Sequence, residues 1–450
     1  MKVCKFGGTS MASAAQFQKV YDIISDDPDR RIVVVSAPGK RDKDDSKVTD
    51  LLISCANKIL ADEEAERELQ LIVNRYQEIA DELALPTEIM ERITLDLQEL
   101  AGMERSNPAA FMDAMKAAGE DNSAKLLAAF FTAKGLKASY VNPKEAGLLV
   151  SDEYGNAQVL NESYEKLAEL KNRQEVVVFP GFFGYSPGGA LVTFSRGGSD
   201  ITGSILAAAV KAELYENFTD VDSVYVVNPS LIANPRKINE ITYREMRELS
   251  YAGFSVFHEE ALLPAFRAGI PVCIKNTNNP SAPGTMIVSE RHPANNPIAG
   301  IASDSGFCSI YVSKYLMNRE IGFGRRLLQI FEDEGLSYEH TPSGIDNISV
   351  ILHENQLDKA KETRVLGRIK DELQVDDVSI QHDLALVMIV GEGMRRSIGV
   401  SSRATTALAQ SDVNLEMINQ GSSEVSMMFG VKSEDAGRAV KALYHEFFLI

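Results

Sequence analysis

Short apolar runs alternate with helical stretches through the first two-thirds of the chain. Residues 31–36, 137–141, 175–179, 190–194, 212–218 and 270–275 read as strands, several of them apolar on both faces. Between them, 124–132 and 201–210 carry helical spacing. Strands that bury both faces and are separated by helices predict an α/β body, a mostly parallel sheet sandwiched by helices. Residues 51–102 read as helical throughout, an excursion beside that sheet. Tyr185-Ser186-Pro187-Gly188-Gly189 predicts a hairpin turn joining two of the strands.

Residues 276–297 hold several prolines and few apolar positions, which predicts a passage out of the first domain. Beyond it the grammar changes. Strands are expected at 306–312 and 347–352 with a helix at 324–333 between them. The run 384–390, 401–411, 414–418, 424–431 and 436–447 then reads strand, helix, strand, strand, helix. The expected division is a domain over 1–292 followed by two small α+β modules of βαββαβ type, 298–375 and 380–450.

The length of 450 residues favours two or three domains over a single core. A formal net charge of −18 opposes nonspecific binding to nucleic acid or to an anionic membrane, without preventing a local cationic pocket. Cys4, Cys55, Cys273 and Cys308 are far apart and form no metal or redox pattern, as for reduced, buried thiols. No basic-then-apolar leader is apparent, and no apolar run approaches the roughly 20 residues that span a bilayer. A soluble, cytoplasmic protein is expected.

Three segments carry candidate chemistry. Lys5-Phe6-Gly7-Gly8-Thr9-Ser10 ends the first apolar run just before a helical pattern. Two glycines let backbone N–H groups approach phosphate oxygens, and a lysine adds positive charge. The same residues also suit a tight strand-to-helix turn with Lys5 in solvent. Thr193-Phe194-Ser195-Arg196-Gly197-Gly198-Ser199-Asp200 is a second glycine turn that opens a helix. There a guanidinium matches a carboxylate in bidentate geometry and Asp200 can orient a lysine, with a surface Arg196–Asp200 ion pair as the plain alternative. Residues 215–225, with Thr219, Asp220 and Tyr225, read as a strand ending in a polar turn, suited to a nucleotide's base and ribose or simply to solvent.

Taken together these segments resemble the aspartate kinases of the amino-acid kinase superfamily. Val33-Val34-Val35-Ser36-Ala37, Val48-Thr49-Asp50-Leu51-Leu52 and Gly119-Glu120 fall between them in the family's order, and the resemblance covers nearly the whole chain. The C-terminal pair resembles tandem ACT domains, which bind amino-acid effectors. The implied reaction is transfer of the ATP γ-phosphoryl to the β-carboxylate of L-aspartate, the first step towards lysine, threonine and methionine, with Mg²⁺ riding on ATP. A carboxylate acceptor is ionised at neutral pH and needs no general base. In keeping with that, residues 1–297 contain only two histidines, His258 and His292.

By this resemblance Lys5 bridges the phosphates and Asp200 holds its ammonium. Gly7, Gly8 and Ser36 line the phosphate track, while Thr219, Asp220 and Tyr225 contact adenosine. Arg196 grips the α-carboxylate of aspartate, Glu120 its ammonium, and Thr49 and Ser199 complete the pocket. Glu120 also reads as a carboxylate near a helix N-terminus, favoured by the dipole. In the first ACT-like module Met317, Gly322, Phe323, Tyr338 and Glu339 fall at effector positions. Lysine is the expected inhibitor, alone or with threonine, its ammonium received by Glu339 unless that carboxylate is merely solvated. A homodimer or higher homo-oligomer through the ACT modules is implied; dimerisation alone is the other reading of those modules.

The chain departs from the family's commonest pattern at the nucleotide end. Asn228-Pro229-Ser230 stands where many relatives carry Asp-Pro-Arg, and Ser255-Val256-Phe257-His258-Glu259 where they carry Lys before Val-Leu-His-Pro. Two cations near ATP are missing, with Lys275 or Lys237 as replacements. A non-catalytic amino-acid sensor with a kinase-like body, and a kinase acting on another acceptor, therefore stand beside the main reading. A fused homoserine dehydrogenase is not expected, because the last ACT-like helix closes the sequence given.

Overall fold

The computed structural model describes residues 1–195, 197–254, 261–291, 296–421 and 425–449. It divides into two compact units, one of Met1–Val224, Lys237–Met246 and Ser255–Arg291, the other of Tyr225–Arg236, Arg247–Phe254 and His292–Ile450.

The first unit is built on β1 (Lys2–Phe6), β2 (Arg30–Val35), β3 (Ala138–Tyr140), β4 (Val176–Pro180), β5 (Phe183–Tyr185), β6 (Leu191–Thr193), β7 (Leu214–Thr219), β8 (Glu240–Thr242), β9 (Val272–Asn276) and β10 (Thr285–Val288). Eight of these form one sheet in the order β3-β4-β2-β1-β7-β9-β10-β8. Neighbours pair in parallel except β9 with β10. The central strands are buried almost end to end, as expected where helices cover both faces.

Around the sheet lie α1 (Ala14–Asp26), α2 (Val48–Leu60), α3 (Glu66–Glu82), α4 (Thr87–Ala101), α5 (Pro108–Ala133), α6 (Pro143–Ala146), α7 (Asn161–Leu167), α8 (Gly198–Val210) and, after α9 (Tyr243–Tyr251), which the division between the units splits, α10 (Leu263–Ala268). The expected excursion at 51–102 is α2 to α4, whose Leu52, Ile72, Tyr76, Ile93 and Leu97 join one core cluster with Phe111 and Phe130 of α5. Burying each such side chain contributes about 1.5–3 kcal/mol relative to leaving it in water. α5 starts where the Asn107 side chain accepts the Ala110 N–H and Pro108 takes the first helical position. It is buried around most of its circumference, which suits a helix at the centre of a core.

Two expectations need correction here. The strand expected at 190–194 does not join the main sheet: β6 pairs with β5 alone, in a hairpin closed by the predicted turn, where Ser186 N–H donates to the Ala190 carbonyl at 2.8 Å. The proline-rich stretch 276–297, expected as a passage, contains β10, a short strand of the first sheet.

The second unit contains β11 (Gly300–Ser313), β12 (Asn347–His353), β13 (Asp377–Val390), β14 (Met417–Asn419) and β15 (Ser426–Lys432), with α11 (Phe323–Asp333), α12 (Lys359–Leu373), α13 (Val400–Gln410) and α14 (Ala436–Phe448). Its five strands make one antiparallel sheet, β12-β11-β13-β15-β14. β11 and β13 are longer than expected and pair along nearly their whole length, with a register shift at Gly306, where φ is +87°. The two βαββαβ halves therefore share a sheet. Sequence reading missed α12 because charges crowd it, yet Val365, Ile369 and Leu373 are buried at helical spacing and the Asp358 side chain caps it at Lys361 N–H.

Candidate active site

β1 delivers Lys5 to the middle of the first sheet, where it is only 7% exposed. In register beside it on β7 lies Asn217. Side chains alternate along these strands, so Phe6 and Phe218 stack at 4.8 Å on one face while Lys5 and Asn217 serve the other. There Asp200, in the first turn of α8, meets both: Lys5 Nζ is 2.7 Å from Asp200 Oδ1, and Asn217 Nδ2 donates to the same oxygen at 2.6 Å. The Asp200 carbonyl also accepts from the Tyr215 hydroxyl at 3.1 Å. α8 is entered through Gly197 at φ +76°, a conformation glycine adopts without strain.

After Phe6 the chain turns across the sheet edge. Gly7 N–H donates to the Phe218 carbonyl at 3.1 Å, Ser36 N–H to Phe6 at 3.1 Å, and Gly39 N–H to Gly8 at 2.8 Å. A Cβ on Gly39 would lie 2.6 Å from the Gly8 carbonyl carbon, so the loops after β1 and β2 touch backbone to backbone. The helix expected directly after the glycines begins later, with a 3-10 turn over Gly8–Met11 and then α1. Ser10 in that turn shares a buried hydroxyl hydrogen bond of 2.7 Å with Thr277, beyond β9.

Glu120 comes from α5. Gly119 packs so tightly against the loop after β2 that a Cβ there would lie 2.7 Å from Ala37 Cβ, and Tyr76 donates to the Gly119 carbonyl at 2.7 Å. The Glu120 carboxyl is 5% exposed, and its Oε2 has no hydrogen-bond partner among the described residues. Burial pushes its pKa up to about 8, against the pull of the Ala37 N–H and the Lys5 charge. Ser199 is buried against Gly181, where a Cβ would come within 2.6 Å of its own. Thr49 sits partly exposed at the start of α2, which the Val48 N–H ties to Pro38.

Lys5, Gly7, Gly8, Ser36, Glu120, Ser199 and Asp200 thus belong to elements in mutual contact. Arg196, the expected carboxylate ligand, lies outside the described residues, as do Ser255 to Glu259. Thr219 ends β7 and Asp220 follows it, the two joined by a 3.2 Å hydrogen bond, and Tyr225 belongs to a segment of the second unit. Lys237 is engaged with Asp222 at 3.4 Å, and Asp222 also accepts from Asn276 and Asn279. Hydrogen bonds from these partners hold its carboxyl below the usual range. Lys275 lies in β9, opposite Phe218. Sequence reading assigned no role to Asn217; its signal was a lone amide inside a buried strand.

In the second unit Met317 and Phe323 lie in a core cluster with Cys308, Ile310 and Leu327. Gly322 caps α11 at φ +79°, Tyr338 is exposed, and half-buried Glu339 accepts a hydrogen bond from the Tyr251 hydroxyl. A cavity of about 210 Å³ on this unit's sheet is lined by Ser309, Ser349, Gln381, Glu416 and Met417 among others, and by none of the five expected effector residues.

A largely parallel, doubly covered sheet with a buried lysine paired to an aspartate beside a glycine turn defines a phosphotransferase of the amino acid kinase class, and residues 1–276 match the amino acid kinase family. Residues 387–447 match an ACT domain. The chain is 62% identical over 448 residues to aspartokinase 3 of Bacillus subtilis, covering 100% of this chain and 99% of that one. The crystal structure of aspartate kinase from Clostridium acetobutylicum superposes with a TM-score of 0.88 at 38% identity, over 99% of this chain and 100% of that one. Escherichia coli aspartokinase III in complex with aspartate and ADP superposes at 0.78 with 25% identity, over 100% of both. The chain belongs to the aspartokinases. Among the described residues no helix is long and apolar enough to cross a membrane.

Proposed function

We propose that the chain transfers the γ-phosphoryl group of ATP to the β-carboxylate of L-aspartate, giving 4-phospho-L-aspartate and ADP. The carrying observation is the buried Glu120 oxygen, which has no hydrogen-bond partner among the described residues and lies within the field of Lys5: a carboxylate held out of water needs a cationic donor, and the α-ammonium of an amino acid is one. Arg196, near Ser199 in sequence, takes the α-carboxylate, with Thr49 and Ser199 completing the pocket.

Because the acceptor is already an anion, no proton is removed. Lys5 neutralises charge on the migrating phosphoryl, while Asp200 and Asn217 hold the ammonium so that it need not reorganise. Gly7, Gly8 and Ser36 are assigned to the phosphate track, although the Gly7 and Ser36 N–H groups are themselves bound to the Phe218 and Phe6 carbonyls. The adenosine end is assigned to Thr219, Asp220 and Tyr225, with Lys275 or Lys237, the latter paired with Asp222, as candidates for the missing positive charge. Mg²⁺ is assigned to the nucleotide's own oxygens and carries no step here.

E. coli aspartokinase III has also been solved with lysine and aspartate in a T-state. Feedback inhibition by lysine, alone or with threonine, through Met317, Gly322, Phe323, Tyr338 and Glu339 is proposed for this chain, in a cytoplasmic homodimer or higher homo-oligomer. The division into 1–292, 298–375 and 380–450 is kept as the working domain scheme.

Incubating the protein with ATP, Mg²⁺ and each candidate acceptor, and trapping the acyl phosphate with hydroxylamine, tests the reading. Hydroxamate with aspartate alone supports it. Hydroxamate with another acceptor makes it a different amino-acid kinase, and binding without turnover makes it a sensor.

A further inference from the structure

α5 carries a second buried carboxylate that the reaction does not touch. Asp113 lies seven residues before Glu120, two helical turns along the same face, and is 2% exposed. Its Oδ2 accepts two backbone hydrogen bonds, from Gly155 N–H and from Thr193 N–H, each 2.8 Å. Lys116 Nζ stands 3.7 Å from its other oxygen. Thr193 is the last residue of β6, and its carbonyl accepts the Ala157 N–H at 3.0 Å. One side chain therefore binds the 151–157 loop and the end of β6 to the helix that bears Glu120.

The segment after β6 gives this staple its meaning. Phe194 N–H donates to the Phe182 carbonyl at 2.8 Å, and the chain then runs through Ser195, Arg196 and Gly197 into Ser199 and Asp200 of α8. Only four residues, 194–197, separate Thr193 from the start of α8. An amino-acid acceptor has two charges at a set separation, so the pocket must hold its anion-binding and cation-binding groups at a matching distance.

We infer that Asp113 is a positioning residue for the acceptor: by hydrogen-bonding Thr193 it sets the spacing between Glu120 and the start of α8, where Ser199 and Asp200 lie. This rests on the assignment of Glu120 and Arg196 to the two charged ends of aspartate. A buried side chain kept only for stability would affect both substrates alike, whereas a spacing device acts on aspartate alone.

The test is steady-state kinetics on full-length Asp113→Ala, Asp113→Asn and Asp113→Glu, each with a thermal melt, beside Glu120→Gln. In Asp113→Ala the KM for aspartate is expected to rise about tenfold or more, as misplacement of reacting groups does, with the KM for ATP within about twofold. Asp113→Asn keeps an acceptor oxygen at both N–H groups and should restore most of the aspartate affinity. Asp113→Glu keeps the charge but pushes β6 away by one methylene, and should raise the aspartate KM without a large loss of melting temperature. An aspartate KM unchanged in Asp113→Ala, or both KM values rising together, overturns the inference. If Asp113→Ala does not fold, Asp113→Glu decides by the same criterion. Should Glu120→Gln leave the aspartate KM unchanged, the acceptor assignment itself fails; a raised value there with unchanged Asp113 variants sinks the spacing role alone.

Discussion

Buried Lys5 and partly buried Asp200 form an ion pair of 2.7 Å whose acidic partner is held a second time, by Asn217 at 2.6 Å. The ammonium is thereby fixed in place before any ligand arrives. Such preorganisation lowers the barrier because nothing has to move as charge develops on the transferring group. Lys5→Ala should reduce kcat by about 100- to 1,000-fold, the scale of losing one preorganised donor, with the aspartate KM changed far less. Stopped or steady-state assays with the melting temperature as a folding control check this; an unchanged kcat removes the mechanism.

Glu120 supplies a pH signature. With its carboxyl pushed up to about 8 by burial, most copies are neutral at pH 7 in the free protein, whereas the substrate ammonium needs the ionised form. The aspartate KM should therefore fall about tenfold between pH 7 and 9, the change in ionised fraction across that pKa. Glu120→Gln should flatten the profile.

The same group affects stability in the opposite direction. Between its unfolded value of 4.5 and about 8 the folded state holds a proton that the unfolded chain releases, so this contribution to stability declines as pH rises through that window. Thermal melts of the free protein against Glu120→Gln from pH 5 to 9 should show the difference, and saturating aspartate should reduce it.

All four cysteines are free and buried, and burial pushes the thiols up: Cys55 and Cys273 to about 11, Cys308 to about 12, Cys4 higher than its ordinary value as well. Thiolates are the reactive form. Iodoacetamide at neutral pH should leave the native protein unlabelled by mass spectrometry and add four groups in denaturant. Rapid labelling of the native chain would contradict this packing.

Glu339 is already hydrogen-bonded by Tyr251. An incoming lysine ammonium must displace that hydroxyl or share the carboxylate with it. Glu339→Ala should raise the lysine concentration for half-inhibition about tenfold, the scale of one charge-assisted contact, and Tyr251→Phe should lower it. Equal inhibition of both variants and the parent would move the effector elsewhere.

What the sequence revealed depended on how chemistry is written in it. Lys5, Glu120 and Asp200 sit in short motifs whose glycines mark close backbone packing, and the structure pairs or clusters them. Asn217 and Asp113 act through partners supplied by distant segments, so a lone amide in a strand and a lone acid in a helix gave no sign. The same holds for elements. Central strands stood out through continuous apolar runs, while β10, short and set among prolines, and α12, with three buried residues among many charges, did not. β6 looked like another strand of the main sheet because pairing partners are not encoded in one strand's own residues.

The long β11 and β13 run through both C-terminal halves. A chain cut between those halves would strip β11 of β13, one of its two neighbours, and expose a row of unsatisfied peptide groups, a template for aggregation. In gene fusions and recombination, residues 300–449 should accordingly travel as one heritable cassette, inherited whole or lost whole.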